Sequence, residues 1–96
     1  MQGLSDGNRI VITVIGEDRV GIIAAVTAIL AENKINILDI SQTIMQEFFV
    51  MVLVADMAES DLDMLLLKEL LIKKSEALKV RIDVQHEDVF KFMHRI

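Results

Sequence analysis

An α+β fold of element order β-α-β-β-α-β follows from three features of the sequence. Apolar residues alternate in four short runs, over 8–15, 36–45, 48–55 and 79–85. Two intervening segments, 20–32 and the stretch opened by Ser60, carry apolar residues at helical intervals. No linker or low-complexity segment divides the chain. With short connections and right-handed crossovers this order gives a ferredoxin-like sandwich: a four-stranded antiparallel sheet, spatial order 4-1-3-2, with two helices on one face. A short C-terminal helix completes it.

In the first run, Ile10, Ile12 and Val14 share one face and Val11, Thr13 and Ile15 the other. Both faces are apolar, as in a central strand covered on both sides. In the first helix Ile22, Ile23, Val26, Ile29 and Leu30 form one stripe, with alanines between them. Asn33 reads as its left-handed cap and Lys34 suits the negative end of the helix dipole. The second run sets Leu38, Ile40, Gln42 and Ile44 on one face, and Ile37, Asp39, Ser41 and Thr43 on the other. The reversal at Met45-Gln46-Glu47 has no Gly or Asn-Gly to fix a turn type. Phe48 to Ala55 is apolar on both faces.

The second helix opens at Ser60, and Ser60-x-x-Asp63 resembles a capping box. Leu62, Leu65, Leu66, Leu70 and Ile72 supply much of its apolar surface, and Leu67 and Leu71 widen the stripe. The last run alternates Val80, Ile82 and Val84 with Arg81, Asp83 and Gln85, as in an edge strand with one wet face. Asp88 is then placed to cap the terminal helix, which Val89, Phe90, Met93 and Ile96 can dock on the body. Residues 1–8 read as a loose, disordered leader and 9–96 as a single domain.

Composition removes several function classes. At 96 residues the chain supports one domain with a modest core. Apolar residues make up 53% of it, enough that part of that surface needs a partner. A net charge of −5 argues against nucleic acid. There is no Cys, so disulfides, CxxC metal sites and thiol catalysis are absent. No apolar run reaches the roughly 20 residues needed to span a bilayer, and no signal peptide pattern is visible. A cytoplasmic location is expected. An RNA-recognition surface would need exposed aromatics and basic charge, and the aromatics here are four Phe. A phosphate cradle in the first loop would meet Glu17 and Asp18. His86 and His94 stand near Glu87 and Asp88, but their spacing matches no ligand pattern. No Ser or Thr has a visible base. No catalysis, metal or cofactor is expected.

The chain is organised around Ile15-Gly16-Glu17-Asp18-Arg19-Val20-Gly21-Ile22, where a strand becomes a helix. Free backbone N–H groups and the helix dipole suit such a turn to a carboxylate or other anion. Gly16 can take dihedrals closed to other residues, and Gly21 lets a neighbouring backbone or ligand approach closely. Asp18 is placed to cap the helix by accepting from Val20 or Gly21. The turn also reads as plain punctuation, since any strand-to-helix turn needs a Gly and a cap.

That stretch, followed by Asn36-Ile37-Leu38-Asp39-Ile40-Ser41-Gln42, resembles the ACT domain family over roughly residues 9–85. The tail His86 to Ile96 is similar to the ending of small bacterial and archaeal proteins made of one ACT domain. Those in turn resemble the regulatory domain of formyltetrahydrofolate deformylase and the glycine-cleavage transcriptional repressor. The resemblance implies a regulatory role in amino-acid or one-carbon metabolism. It also implies an amino acid or similar effector bound where two copies meet. By position the turn contributes Gly16, Asp18, Arg19, Val20 and Gly21, and the second strand Asn36, with Ile37 and Leu38 beside it. Serine-binding members tend to carry a polar residue at the position of Gly16 and Asn at that of Asp18. Here backbone amides suit an anionic group and Asp18 an ammonium. The expected partners are a second copy, in a homodimer or tetramer, a small-molecule effector, and a metabolic enzyme or regulator. The alternative is a ligand-free interaction or assembly domain.

Overall fold

The computed structural model of the protein describes residues 8–17 and 20–93. Its elements are β1 (Arg9–Gly16), α1 (Val20–Glu32), β2 (Asn36–Met45), β3 (Phe48–Asp56), α2 (Met64–Leu78), β4 (Arg81–His86) and α3 (Glu87–Met93). The sheet order is β2-β3-β1-β4 with every neighbouring pair antiparallel, the expected topology. Of the leader expected over 1–8, only Asn8 lies among the described residues, and its carbonyl accepts the N–H of Met57.

The core forms between one sheet face and two helices. Ile10, Ile12 and Val14 of β1 and Phe49, Met51, Leu53 and Ala55 of β3 are buried, since a strand sends every second side chain to the same face. Ile22, Val26 and Leu30 of α1, at intervals of four, pack onto them with Leu67 and Leu71 of α2. Full burial of each such side chain contributes about 1.5–3 kcal/mol. In α2 the expected stripe is inverted. Leu67 and Leu71 are 0% exposed, while Leu65 is 72% and Ile72 50% exposed. Apolar residues wrap this helix, so periodicity alone does not select the inward face.

The helix ends also differ from expectation. Asp63, not Ser60, caps α2, its Oδ1 accepting the N–H of Leu66 at 2.9 Å. Ser60 Oγ instead accepts from Leu62 in the preceding turn. Asp88 lies inside the first turn of α3, which begins at Glu87. Lys34, not Asn33, takes the left-handed conformation after α1 (φ 59°), and Asn33 Nδ2 donates to Ile29 O. Ile35 N–H then reaches back to Leu30 O, as Val80 N–H reaches back to Ser75 O after α2, where Lys79 is left-handed.

A bulge at Leu38 shifts the register of β2, so Ile37 opposes Ala55 while Asp39 opposes Val54. Ile37 therefore shares the helix-covered face with Ile40, Gln42 and Ile44, correcting the alternation expected from sequence. Gln46 turns the two-residue hairpin with φ 58°, so a non-glycine residue takes the left-handed place that Gly or Asn usually fills. On the opposite face, Val50, Val52 and Val54 are half-buried and Phe48 is exposed. Arg9 and Val11 point the same way, and Val11 is buried. There α3 packs on β1 and β4, with Glu87 3.5 Å from Arg9. The second face is thus partly covered by α3.

Candidate functional site

At the first turn, Gly16 has a different reason from the one expected. Gly16 is buried, and its φ is not in the left-handed region. A Cβ there would lie 2.5 Å from Val80 Cγ1 and 2.9 Å from Ile22 Cδ1. The absence of a side chain, not unusual dihedrals, is what this position requires. At Gly21 a Cβ would meet nothing within 4 Å, so the position is open to an approaching molecule. Val20 is exposed beside it. Asp18 and Arg19, including the cap expected at Asp18, lie outside the described residues.

Within one copy the two halves of the expected site are far apart. Gly16 opposes Phe49 at one end of the sheet, whereas Asn36 opposes Asp56, and Asp56 opposes Arg9, at the other. The separation is the length of β1, about 23 Å at about 3.3 Å per residue. Asn36 and Leu38 are exposed, and Ile37 packs partly on the core.

Each end carries an open cleft. Beside Asn36, a cleft of about 470 Å³ is lined by Lys34, Ile35, Asp56, Ala58 and Glu59. Beside Gly16, one of about 660 Å³ is lined by Ile15, Glu17, Phe48, Leu78, Lys79, Val80 and Arg81. Sequence reasoning placed none of Asp56, Glu59, Lys79 and Arg81 at the site, and read Arg81 only as part of the wet face of the last strand. Strand register alone brings Asp56 to Asn36, and the packing of Val80 on Gly16 brings Lys79 and Arg81 to the first turn. A local signal existed only for Lys79, at the point where the apolar stripe of α2 stops.

Between the two ends runs β2, the edge strand. Its residues from Leu38 to Met45 are all exposed, including Ile40, Ile44 and Met45. Long apolar edges are a template for pairing with another strand. Among the described residues no three His, Asp or Glu side chains converge to hold a metal. No helix among them is long and apolar enough to cross a membrane. His86 ends β4 and is exposed, and His94 lies outside the described residues.

Comparison with known proteins fits this architecture. The family model described as ACT domain matches residues 8–85. A UPF0237 protein of Methanocaldococcus jannaschii is 52% identical over 89 residues, 93% of this chain and 99% of that protein. The solved ACT domain protein from Streptococcus pneumoniae superposes with a TM-score of 0.78 at 34% identity, over 90% of this chain and 97% of that one. A formyltetrahydrofolate deformylase from Pseudomonas syringae pv. tomato shares the fold with a TM-score of 0.75 at 21% identity. That match takes in 86% of this chain and 29% of the deformylase.

Proposed function

Because the chain belongs to the ACT domain family, we propose that it is a regulatory module that binds a small effector, an amino acid, between two copies of itself. It acts in the cytoplasm, in amino-acid or one-carbon metabolism, and relays the bound state to a metabolic enzyme or regulator. The observation that carries this reading is the separation of Gly16 from Asn36 along an unpaired edge strand. If β2 pairs antiparallel with β2 of a second copy, the partner's β2 begins beside Met45, at the end of the sheet that holds Gly16. A two-fold operator makes two such composite sites. Burying an effector there couples binding to association, so ligand tightens the oligomer and raises its melting temperature. No catalytic step is needed.

Calorimetry against the common amino acids tests this reading, followed by mixing of two variants. Gly21→Val obstructs the turn, at a position where an added Cβ would meet nothing within 4 Å, and Asn36→Ala removes the strand contribution. Each alone should weaken binding at least ten-fold. Mixed, they form hetero-pairs with one intact site, so binding should return to a fraction of the sites. Absence of binding to any amino acid would favour the second reading, a ligand-free assembly domain, which the exposed apolar residues of β2 also suit.

A further inference from the structure

We infer that the corner of the core where β3 passes into α2 is a binding site for a soft monovalent metal ion, Cu(I). Its ligands are the thioethers of Met57 and Met64 and the imidazole of His86. The inference goes beyond the effector reading above, shares no residue with that site and does not depend on it.

Strand alternation brings His86 to this corner. Ile82 and Val84 of β4 are buried beneath the helices. The next residue in that phase is His86, where the pattern asks for another apolar side chain. Register sets it level with Ile10 and, across β1, with Ala55. Met57 follows Ala55 in phase, just past the end of β3, with its N–H on the carbonyl of Asn8. Met64 opens α2. Met57, Met64 and His86 line one cavity of about 250 Å³, with Asp63 and Ser60 on the same wall.

The donor set selects the ion. Thioether sulfur is a soft ligand that favours Cu(I), and imidazole suits copper as well. Zn(II) takes a tetrahedral set of Cys, His or carboxylate ligands, and Mg(II) a shell of oxygens. One imidazole and one carboxylate supply neither. Oxygens on the wall are also in use: Asp63 Oδ1 accepts the N–H of Leu66 at 2.9 Å, and Ser60 Oγ that of Leu62 at 3.1 Å. The imidazole of His86 has no hydrogen-bond or ion-pair partner among the described residues. Methionine in a core is commonly a gap-filler, but gap-filling gives no reason for an imidazole in phase with Ile82 and Val84. The unbranched Met side chain turns about three bonds, so both sulfurs can reach the cavity without a backbone shift. The corner is accessible, since His86 is exposed and Met64 half-buried. A single positive charge costs less to take into a partly apolar cavity than two, and the net charge of −5 lowers that cost further.

The test uses the full chain with its methionine methyl groups isotopically labelled for magnetic resonance. Two probes serve: Ag(I), a redox-stable ion of the same ligand preference, and Cu(I) kept reduced under nitrogen. One equivalent of either ion should bind and raise the melting temperature. The methyl signals of Met57 and Met64 should move, while those of Met45 and Met51 stay in place. Met57→Leu and Met64→Leu keep the apolar volume. These and His86→Gln should each weaken Ag(I) binding about ten-fold or more, and Zn(II) should bind the unmodified protein more weakly than Ag(I). Absence of saturable binding by both Ag(I) and Cu(I) overturns the inference. So does Zn(II) binding at least as tight as that of Ag(I), or movement of the Met45 or Met51 signal in place of the other two. Ag(I) binding within two-fold of the unmodified protein in the Met57→Leu/Met64→Leu double variant also overturns it. If a variant at Met57 no longer melts cooperatively, Met64→Leu and His86→Gln decide, since neither side chain is fully buried. Binding within two-fold in both then overturns the inference.

Discussion

Val80 Cγ1 stands 2.5 Å from the point where a Cβ on Gly16 would be. Real Cβ atoms do not approach so closely, and Ile22 closes the other side at 2.9 Å. Gly16→Ala should therefore destabilise the protein by about 1–3 kcal/mol, the usual cost of overpacking. Denaturant titration measures it. Val80→Ala in the same chain should recover part of the loss, a coupling expected only of residues in contact.

Two leucines two positions apart on α2 should behave very differently. Leu67→Ala empties a fully buried position and should cost about 2–5 kcal/mol. Leu65→Ala, at a position 72% exposed, should stay within about 0.5 kcal/mol. Equal effects in thermal or denaturant unfolding would mean that α2 presents another face to the sheet.

Lys34 closes α1 with φ 59°, where a side chain costs roughly 1–2 kcal/mol that Gly does not incur. Part of that gain is offset by the extra freedom of Gly in the unfolded chain. Lys34→Gly should raise stability by about 0.5–1 kcal/mol, seen as a later denaturation midpoint with an unchanged slope.

Ile40 and Ile44 are exposed on the helix-covered side of β2, the edge strand. The unmodified protein should sediment as a dimer or larger at micromolar concentration. Placing Lys at both positions should yield a monomer with unchanged far-ultraviolet circular dichroism, because neither residue belongs to the core cluster. A monomer before any change would remove the basis for a shared site.

Gly21→Ala adds a methyl group where nothing lies within 4 Å and replaces the poorest ordinary helix former in the first turn of α1. It should leave the melting temperature of the ligand-free protein unchanged or raise it by a few degrees. A marked loss would show that a second copy already packs on this turn before any effector binds.

The sequence by itself determined the element order, the extents of α1 and β2, and the antiparallel order of the sheet. These are local properties: alternation along a strand, spacing on a helix, and chain connections too short for other topologies. It also located Gly16 as special, but for dihedral freedom, whereas the reason is Val80, sixty-four positions away. Only the tertiary structure decided which face of α2 turns inward, because six apolar residues between Leu65 and Ile72 leave the periodicity without a single direction. Only strand register decided that Leu38 is a bulge and that Asp56 lies beside Asn36. The same holds for the site: the residues of the first turn are visible in one stretch of chain. Lys79 and Arg81 join them through packing between segments far apart in sequence, and no local pattern records that contact.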